Sequence, residues 1–171
     1  MDTLTGKKLK PLILTLIIVI TDQVSKLIIV NTIPIHTIGK SFIGGIIRII
    51  HTRNLAIAFS MGNNLPDGVR YILFTIFPVA ILIGLLIYFI KGNDFTNIQR
   101  WAVAGILGGG IGNLTDRVFR PLGVVDFVDV KFFGIFGLER WPTFNVADST
   151  VVISGLLLLF SFIFEDIKKH E

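Results

Sequence analysis

Four runs of the chain, at about 11–30, 71–90, 98–115 and 148–164, carry too few polar positions for the one-sided stripe of a soluble helix. Each approaches the roughly 20 apolar residues that a helix needs to cross a bilayer. The fourth is a little short, which tilt or local thinning accommodates, so its N-terminal end is expected near the interface. Lys7, Lys8 and Lys10 before the first run resemble the head of a signal peptide. That run is long, however, contains Asp22 and Lys26, and has no small-residue cleavage pattern after it, so it is read as a retained helix. The connections at about 31–70 and 118–147 have a different texture. "IIRIIHTRNLAIAF" (Ile46 to Phe59) and "GVVDFVDVKFF" (Gly123 to Phe133) are rich in β-branched and aromatic residues with glycines at their edges. They predict a small sheet resting on the membrane surface. "NNLPDG" (Asn63 to Gly68) predicts a turn into the second helix.

Basic residues orient this arrangement. Lys7, Lys8 and Lys10, then Lys91 and Arg100, then Lys168 and Lys169 flank the spans on one side, which places both termini in the cytoplasm and the two long loops outside. The expected fold is therefore an α-helical integral membrane protein, one domain over residues 1–171, with four transmembrane helices and a small extracytoplasmic β-sheet. Composition agrees: 52% of the 171 residues are hydrophobic and 16% charged, and the mean hydropathy is +0.76. The net charge of +4 is dispersed and lacks a basic motif with interleaved aromatics, so it reads as topological and nucleic acid is not an expected partner. There is no cysteine, which excludes a disulfide, a thiol nucleophile and any Cys-ligated metal. His36, His51 and His170 show no ligand spacing, and no metal or cofactor is expected.

Polar residues inside such a chain are the candidates for chemistry. The third span holds two overlapping G-x-x-x-G spacings, Gly105 with Gly109 and Gly108 with Gly112, which let helices approach closely in lipid. One turn on, Asn113 and Arg117 share a helical face with Asp116 adjacent, either as an interfacial Asp–Arg pair or as a polar bracket around a site. In a strand from Val124 to Val130, alternation puts Asp126 and Asp129 on opposite faces, so only one looks easily into a shared pocket. Asn145 and Asp148 are three apart at the start of the fourth helix, where either caps it. Asp22 and Lys26 are four apart and can pair along the first helix. Ser25 beside Lys26 points about 100° away from it on a helix, which discounts a Ser–Lys nucleophile. Two carboxylates facing each other at a wet interface can divide acid and base work, and Asp126 with Asp148 is the expected pair. A proton-coupled transporter would use intramembrane acids too, but would carry them near the midplane, often with internal repeats. No repeat is visible here.

"TDQVSK", "NLAIAF", "GGGIGNLTDR", "VVDFVDV" and "FNVADS" occur in this order and approximate spacing across nearly the whole chain. In this the sequence resembles the bacterial lipoprotein signal peptidases (signal peptidase II). The resemblance implies an aspartyl endopeptidase of the bacterial inner membrane. It would remove the signal peptide of a prolipoprotein just before a cysteine that carries diacylglycerol. It implies Asp126 and Asp148 as the catalytic pair, and Asp22, Asn54, Asn113, Arg117 and Asn145 lining or supporting the site. Lys26 and Asp116 match motif positions suited to structural ion pairing, and Gly108 and Gly112 to helix packing. Implied partners are diacylglyceryl-prolipoproteins, membrane lipid and the cyclic peptide antibiotic globomycin. Ala56 and Ile111 depart from the family, which usually has glycine and alanine there, and both lie outside the carboxylate pair.

Overall fold

The computed structural model describes residues 8–55 and 65–170. Helix α1 (Leu12–Thr32) buries Ile18, Asp22, Lys26 and Ile29. These positions recur every three or four residues, so they form one stripe. Ile17, Ile20, Val24 and Ile28 on the other faces are half exposed or more. The helix is thus inverted relative to a soluble one: polar groups turn inward and aliphatic ones outward, as lipid contact requires.

Strands β1 (Ile38–Phe42) and β2 (Ile47–Asn54) follow, joined by a tight turn at Ile43–Gly45. Helix α2 (Asp67–Lys91) comes next. It begins earlier than expected, since Asp67 and Gly68 already form its first turn and the acid there complements the positive end of the helix dipole. Asn63, Asn64 and the Ala56–Phe59 part of the predicted strand run lie outside the described residues. Within α2 a single π turn spans Ile72–Ile76. Pro78 explains it, because its ring would collide with the carbonyl four residues back in a regular helix and the wider turn relieves this.

Helix α3 (Asn97–Phe119) opens with a reciprocal cap between Thr96 and Gln99 and runs four residues past the expected end, so Asp116 and Arg117 are helical. Strands β3 (Val124–Ile135) and β4 (Leu138–Arg140) then lead to helix α4 (Val146–His170). The fourth helix starts two residues before the expected position because Asn145 caps it, so it is not short.

Among the described residues, three helices are long and apolar enough to cross a membrane: Leu12–Thr32, Asp67–Lys91 and Val146–Glu165. The remaining expected span, α3, is long enough at 23 residues but falls short in apolarity. Its position accounts for this. Gln99, Arg100, Gly105, Gly108, Gly109, Gly112 and Asp116 are all buried, because α1, α2 and α4 surround α3 and protein replaces lipid around it.

The four strands form one antiparallel sheet in the order β1-β2-β3-β4. It packs on the bundle through Ile29 of α1 with Val125 and Phe127 of β3, at the end where α1 and α3 finish and α4 begins. At the other end Lys8 bonds Asn93, and Gln99 bonds Glu165 at 3.1 Å. The start of α1, the α2–α3 link and the far part of α4 therefore share the end opposite the sheet.

Candidate active site

Asp126 is carried by β3, where Thr52 of β2 sits opposite it and donates from Oγ1 to its carbonyl at 3.1 Å. Its side chain turns toward the helices and is 4% exposed. Asn54 donates to Oδ2 at 3.2 Å and Asn145 to Oδ1 at 2.7 Å. Asp129 turns the other way, as strand alternation requires, and is held by Arg140 Nε at 2.6 and 2.7 Å from its two oxygens. The Arg140 guanidinium also donates to the carbonyl of Gly45, tying the β3–β4 hairpin to the β1–β2 turn.

Asp148 stands in the first turn of α4, where one of its carboxylate oxygens takes part in the cap. Asn145 Oδ1 accepts the backbone N–H of Asp148 at 2.9 Å, and Asp148 Oδ2 accepts the N–H of Asn145 at 3.0 Å, a reciprocal cap. The second carboxylate oxygen, Oδ1, faces α3 and accepts from Asn113 Nδ2 at 2.7 Å. Asn145 Nδ2 also reaches Asn113 Oδ1 at 3.0 Å. One asparagine thus connects the strand aspartate, the helix aspartate and α3.

Asn54, Asn113, Arg117, Asp126 and Asp148 line a single cavity of about 650 Å³. Its other walls are Gly109 and Gly110 of α3, Val151, Val152 and Ile153 of α4, and Trp141 to Phe144. The acids thus line a largely apolar chamber. Burial pushes the Asp126 carboxyl up to about 7, with the charge of Asp148 adding to the effect. The amides of Asn54 and Asn145 and the ammonium of Lys26 oppose it. A carboxyl in this range can hold a proton in a resting site and release it during a reaction.

Asp22, Lys26 and Asp116 do not line this cavity. They form a fully buried cluster beside it, with Lys26 Nζ 2.9 Å from Asp22 and 3.2 Å from Asp116. Asp22 Oδ1 accepts the N–H of Ala147, a further cap on α4, and Asp116 Oδ2 accepts the N–H of Val125 on β3. These acids therefore anchor the two elements that carry Asp126 and Asp148. Of the two expected arrangements, Asn113 and Arg117 both line the cavity as a polar bracket does, while Asp116 bonds Arg120 at 3.0 Å, one turn on. Arg117 also reaches over the ring of Phe74, 5.8 Å from its centre. Gly108 and Gly112 allow the cluster to close. A Cβ at Gly112 would stand 2.7 Å from Asp22 Oδ2, and one at Gly108 would stand 2.9 Å from Ile18 Cβ.

Three contributors were not singled out from the sequence. Gln23 links Asp22, the Gly112 carbonyl and Asp116, and Arg120 completes the ion cluster. As a polar residue within a spanning run, Gln23 carried a readable signal. Trp141, by contrast, reaches the cavity through the course of the β4–α4 link, which no local pattern announces.

Residues 14–164 match the family model described as signal peptidase (SPase) II. The lipoprotein signal peptidase of Treponema pallidum (strain Nichols) is 46% identical over 153 residues, which is 90% of this chain and 82% of that protein. That of Borrelia hermsii (strain HS1 / DAH) is 48% identical over 155 residues, 91% of this chain and 90% of that one. A bacterial membrane enzyme solved by the in meso method superposes with a TM-score of 0.79 at 30% identity, covering 94% of this chain and 91% of its own. A second such structure gives 0.75 at 31% identity, covering 90% and 92%. With its cavity, capped aspartate and sheet placed at one end of a helical bundle, this chain belongs to the signal peptidase II family.

Proposed function

We propose that this chain is an aspartyl endopeptidase of the bacterial cytoplasmic membrane. It removes the signal peptide from diacylglyceryl-modified prolipoproteins, cutting just before the lipid-modified cysteine, with Asp126 and Asp148 as its catalytic pair. The observation that carries this reading is that both acids face one cavity and are joined by Asn145.

The reaction follows from that arrangement. A water placed between the carboxyls gives a proton to Asp148, and its oxygen adds to the scissile carbonyl carbon. Asp126 gives its proton to the carbonyl oxygen, forming a neutral tetrahedral diol. Return of one diol proton to Asp126 and transfer of the proton on Asp148 to the departing nitrogen break the C–N bond. This yields acid and amine with both aspartates restored. Asn54 and Asn145 hold Asp126 while Asn113 holds Asp148, so little reorganisation accompanies charge movement. Arg117 adds positive charge to the same wall. The apolar walls from Val151, Val152 and Ile153 of α4, with Val124, Trp141 and Phe144, suit a substrate that arrives within the bilayer by its signal helix and acyl chains, while water comes from the sheet end.

The same reading puts both chain ends in the cytoplasm and the sheet outside, which agrees with Lys91, Arg100, Lys168 and Lys169 lying toward the end opposite the sheet in chain order. Globomycin would occupy the cavity as a substrate-like peptide. The decisive experiment incubates purified protein in detergent with lipidated and unlipidated forms of one prolipoprotein. Cleavage of the lipidated form alone is expected, and cleavage of neither would sink the proposal.

A further inference from the structure

Lys26 has a use that ion pairing does not account for. An ammonium offers three N–H donors and accepts nothing. Two of its partners are carboxylates, Asp22 and Asp116. The third is neutral: Asn113 Oδ1, at 2.9 Å. The far end of that amide is the one that matters, since Asn113 Nδ2 donates to Asp148 Oδ1 at 2.7 Å.

We propose that Lys26 is a positioning residue for Asp148, acting through the amide of Asn113. A side-chain amide has one accepting end and one donating end, so its direction depends on what it faces. With an ammonium at one end and a carboxylate at the other, only the observed direction makes two attractive contacts; the reverse sets N–H against N–H and oxygen against oxygen. Asn145 adds a second donor to Asn113 Oδ1 at 3.0 Å, but the same nitrogen also serves Asp126. Among the described residues, Lys26 is the donor on that oxygen that bonds neither Asp126 nor Asp148. It therefore holds the direction when those acids exchange protons and their own hydrogen bonds change. Asp22 and Asp116 in turn keep Lys26 in place, so the charge cluster on α1 and α3 sets the orientation of a donor inside the cavity.

This inference rests on the peptidase reading, and its test separates the two. Turnover of a lipidated prolipoprotein is measured for the natural protein, Lys26→Met, Asn113→Ala and the double variant, with a thermal midpoint for each. Turnover by the natural protein supports the reading itself, whatever the variants do, and its absence removes the reading and the inference together. Lys26→Met should lower kcat about tenfold while KM changes less than about threefold. In the Asn113→Ala background the same substitution should change kcat less than about threefold, because the route is already cut. An equal, multiplying loss in both backgrounds would overturn the inference. Lys26→Gln is measured beside it as a single variant, and stands alone if Lys26→Met does not fold. It keeps a donor and should retain at least about a third of kcat. A folded Lys26→Gln protein as slow as Asn113→Ala would overturn the inference equally.

Discussion

Asn145 and Asp148 cap each other: each side chain accepts the other's backbone N–H, at 2.9 and 3.0 Å, and the Asn145 amide then reaches on to Asp126 at 2.7 Å. Capping of α4 and the geometry of the candidate site are therefore one arrangement. The two roles remain separable by substitution. Asn145→Ser keeps an oxygen that can cap Asp148 but loses the amide donor to Asp126, Asn113 and the Val125 carbonyl, so turnover should fall at least about tenfold while the cap is kept. Asn145→Ala should lose the same activity and also about 1 kcal/mol of stability. Equal activity of the serine variant and the natural protein would show that the Asp126 contact is idle.

Asp126→Asn and Asp148→Asn should each reduce turnover at least about a thousandfold in folded protein. An amide fills the same space and, at position 148, still offers an oxygen to the Asn145 N–H, but neither can take up or release the proton. Substantial turnover by either variant removes that residue from the mechanism.

Asp129→Asn should behave differently. It weakens the paired bonds from Arg140 and should cost roughly 1–3 kcal/mol of stability, with turnover within about threefold of the natural protein below the unfolding range. Loss of activity as complete as at Asp126, with the fold intact, would show that the β3–β4 hairpin is part of the machinery.

Acidity gives a test of both rate and stability. The folded protein keeps a proton on Asp126 up to about 7, while an ordinary aspartate releases it near 3.8. The folded form binds the extra proton between those values. The favourable contribution is therefore complete in acid, declines as pH rises, and is lost above about 7. Asp126→Asn removes this titration, so its thermal midpoint should exceed that of the natural protein at about pH 8 and converge with it near about pH 4. A gap that widens toward acid would contradict the assignment. The rate of cleavage under limiting substrate should fall with rising alkalinity through the same range, as the shared proton is lost, and should fall again in acid as the base is protonated. A plateau continuing far into alkali, with chemistry rate-limiting, would leave a single working carboxylate.

Orientation is open to labelling, since the chain has no cysteine of its own. Glu139→Cys, at the exposed middle position of β4, should react with an impermeant thiol reagent outside intact cells, and Asn93→Cys, at the α2–α3 link, should not. Reaction at position 93 from outside would invert the topology.

Spans bordered by lipid were plain in the sequence because nothing but aliphatic surface suits that solvent, as α1 and α2 illustrate. Helix α3 is less apolar for the reason that it is central: its neighbours are Ile18, Leu82 and Ala147 rather than acyl chains. Asp126 and Asp129 could be assigned to opposite faces because a strand has a fixed period. What could not be read was partner choice across distance. Arg140 binds Asp129, and Arg120 binds Asp116, because a hairpin register and one helical turn decide the reach. The π turn in α2 was signalled by Pro78, but a proline alone does not say whether a helix kinks, widens or ends.

The charged stripe on α1 also bears on how the chain is made. Lys26 and Asp22 meet as neighbours four apart on their own helix, 2.9 Å from one another, whereas Asp116 and Asn113 belong to a segment synthesised much later. When α1 leaves the ribosome it therefore carries its own counterion and enters the insertion machinery as a neutral pair, which lessens the cost of lipid exposure. The remaining partners arrive only with α3. Until then α1 retains an incompletely satisfied polar seam that only Asp116 and Asn113 complete.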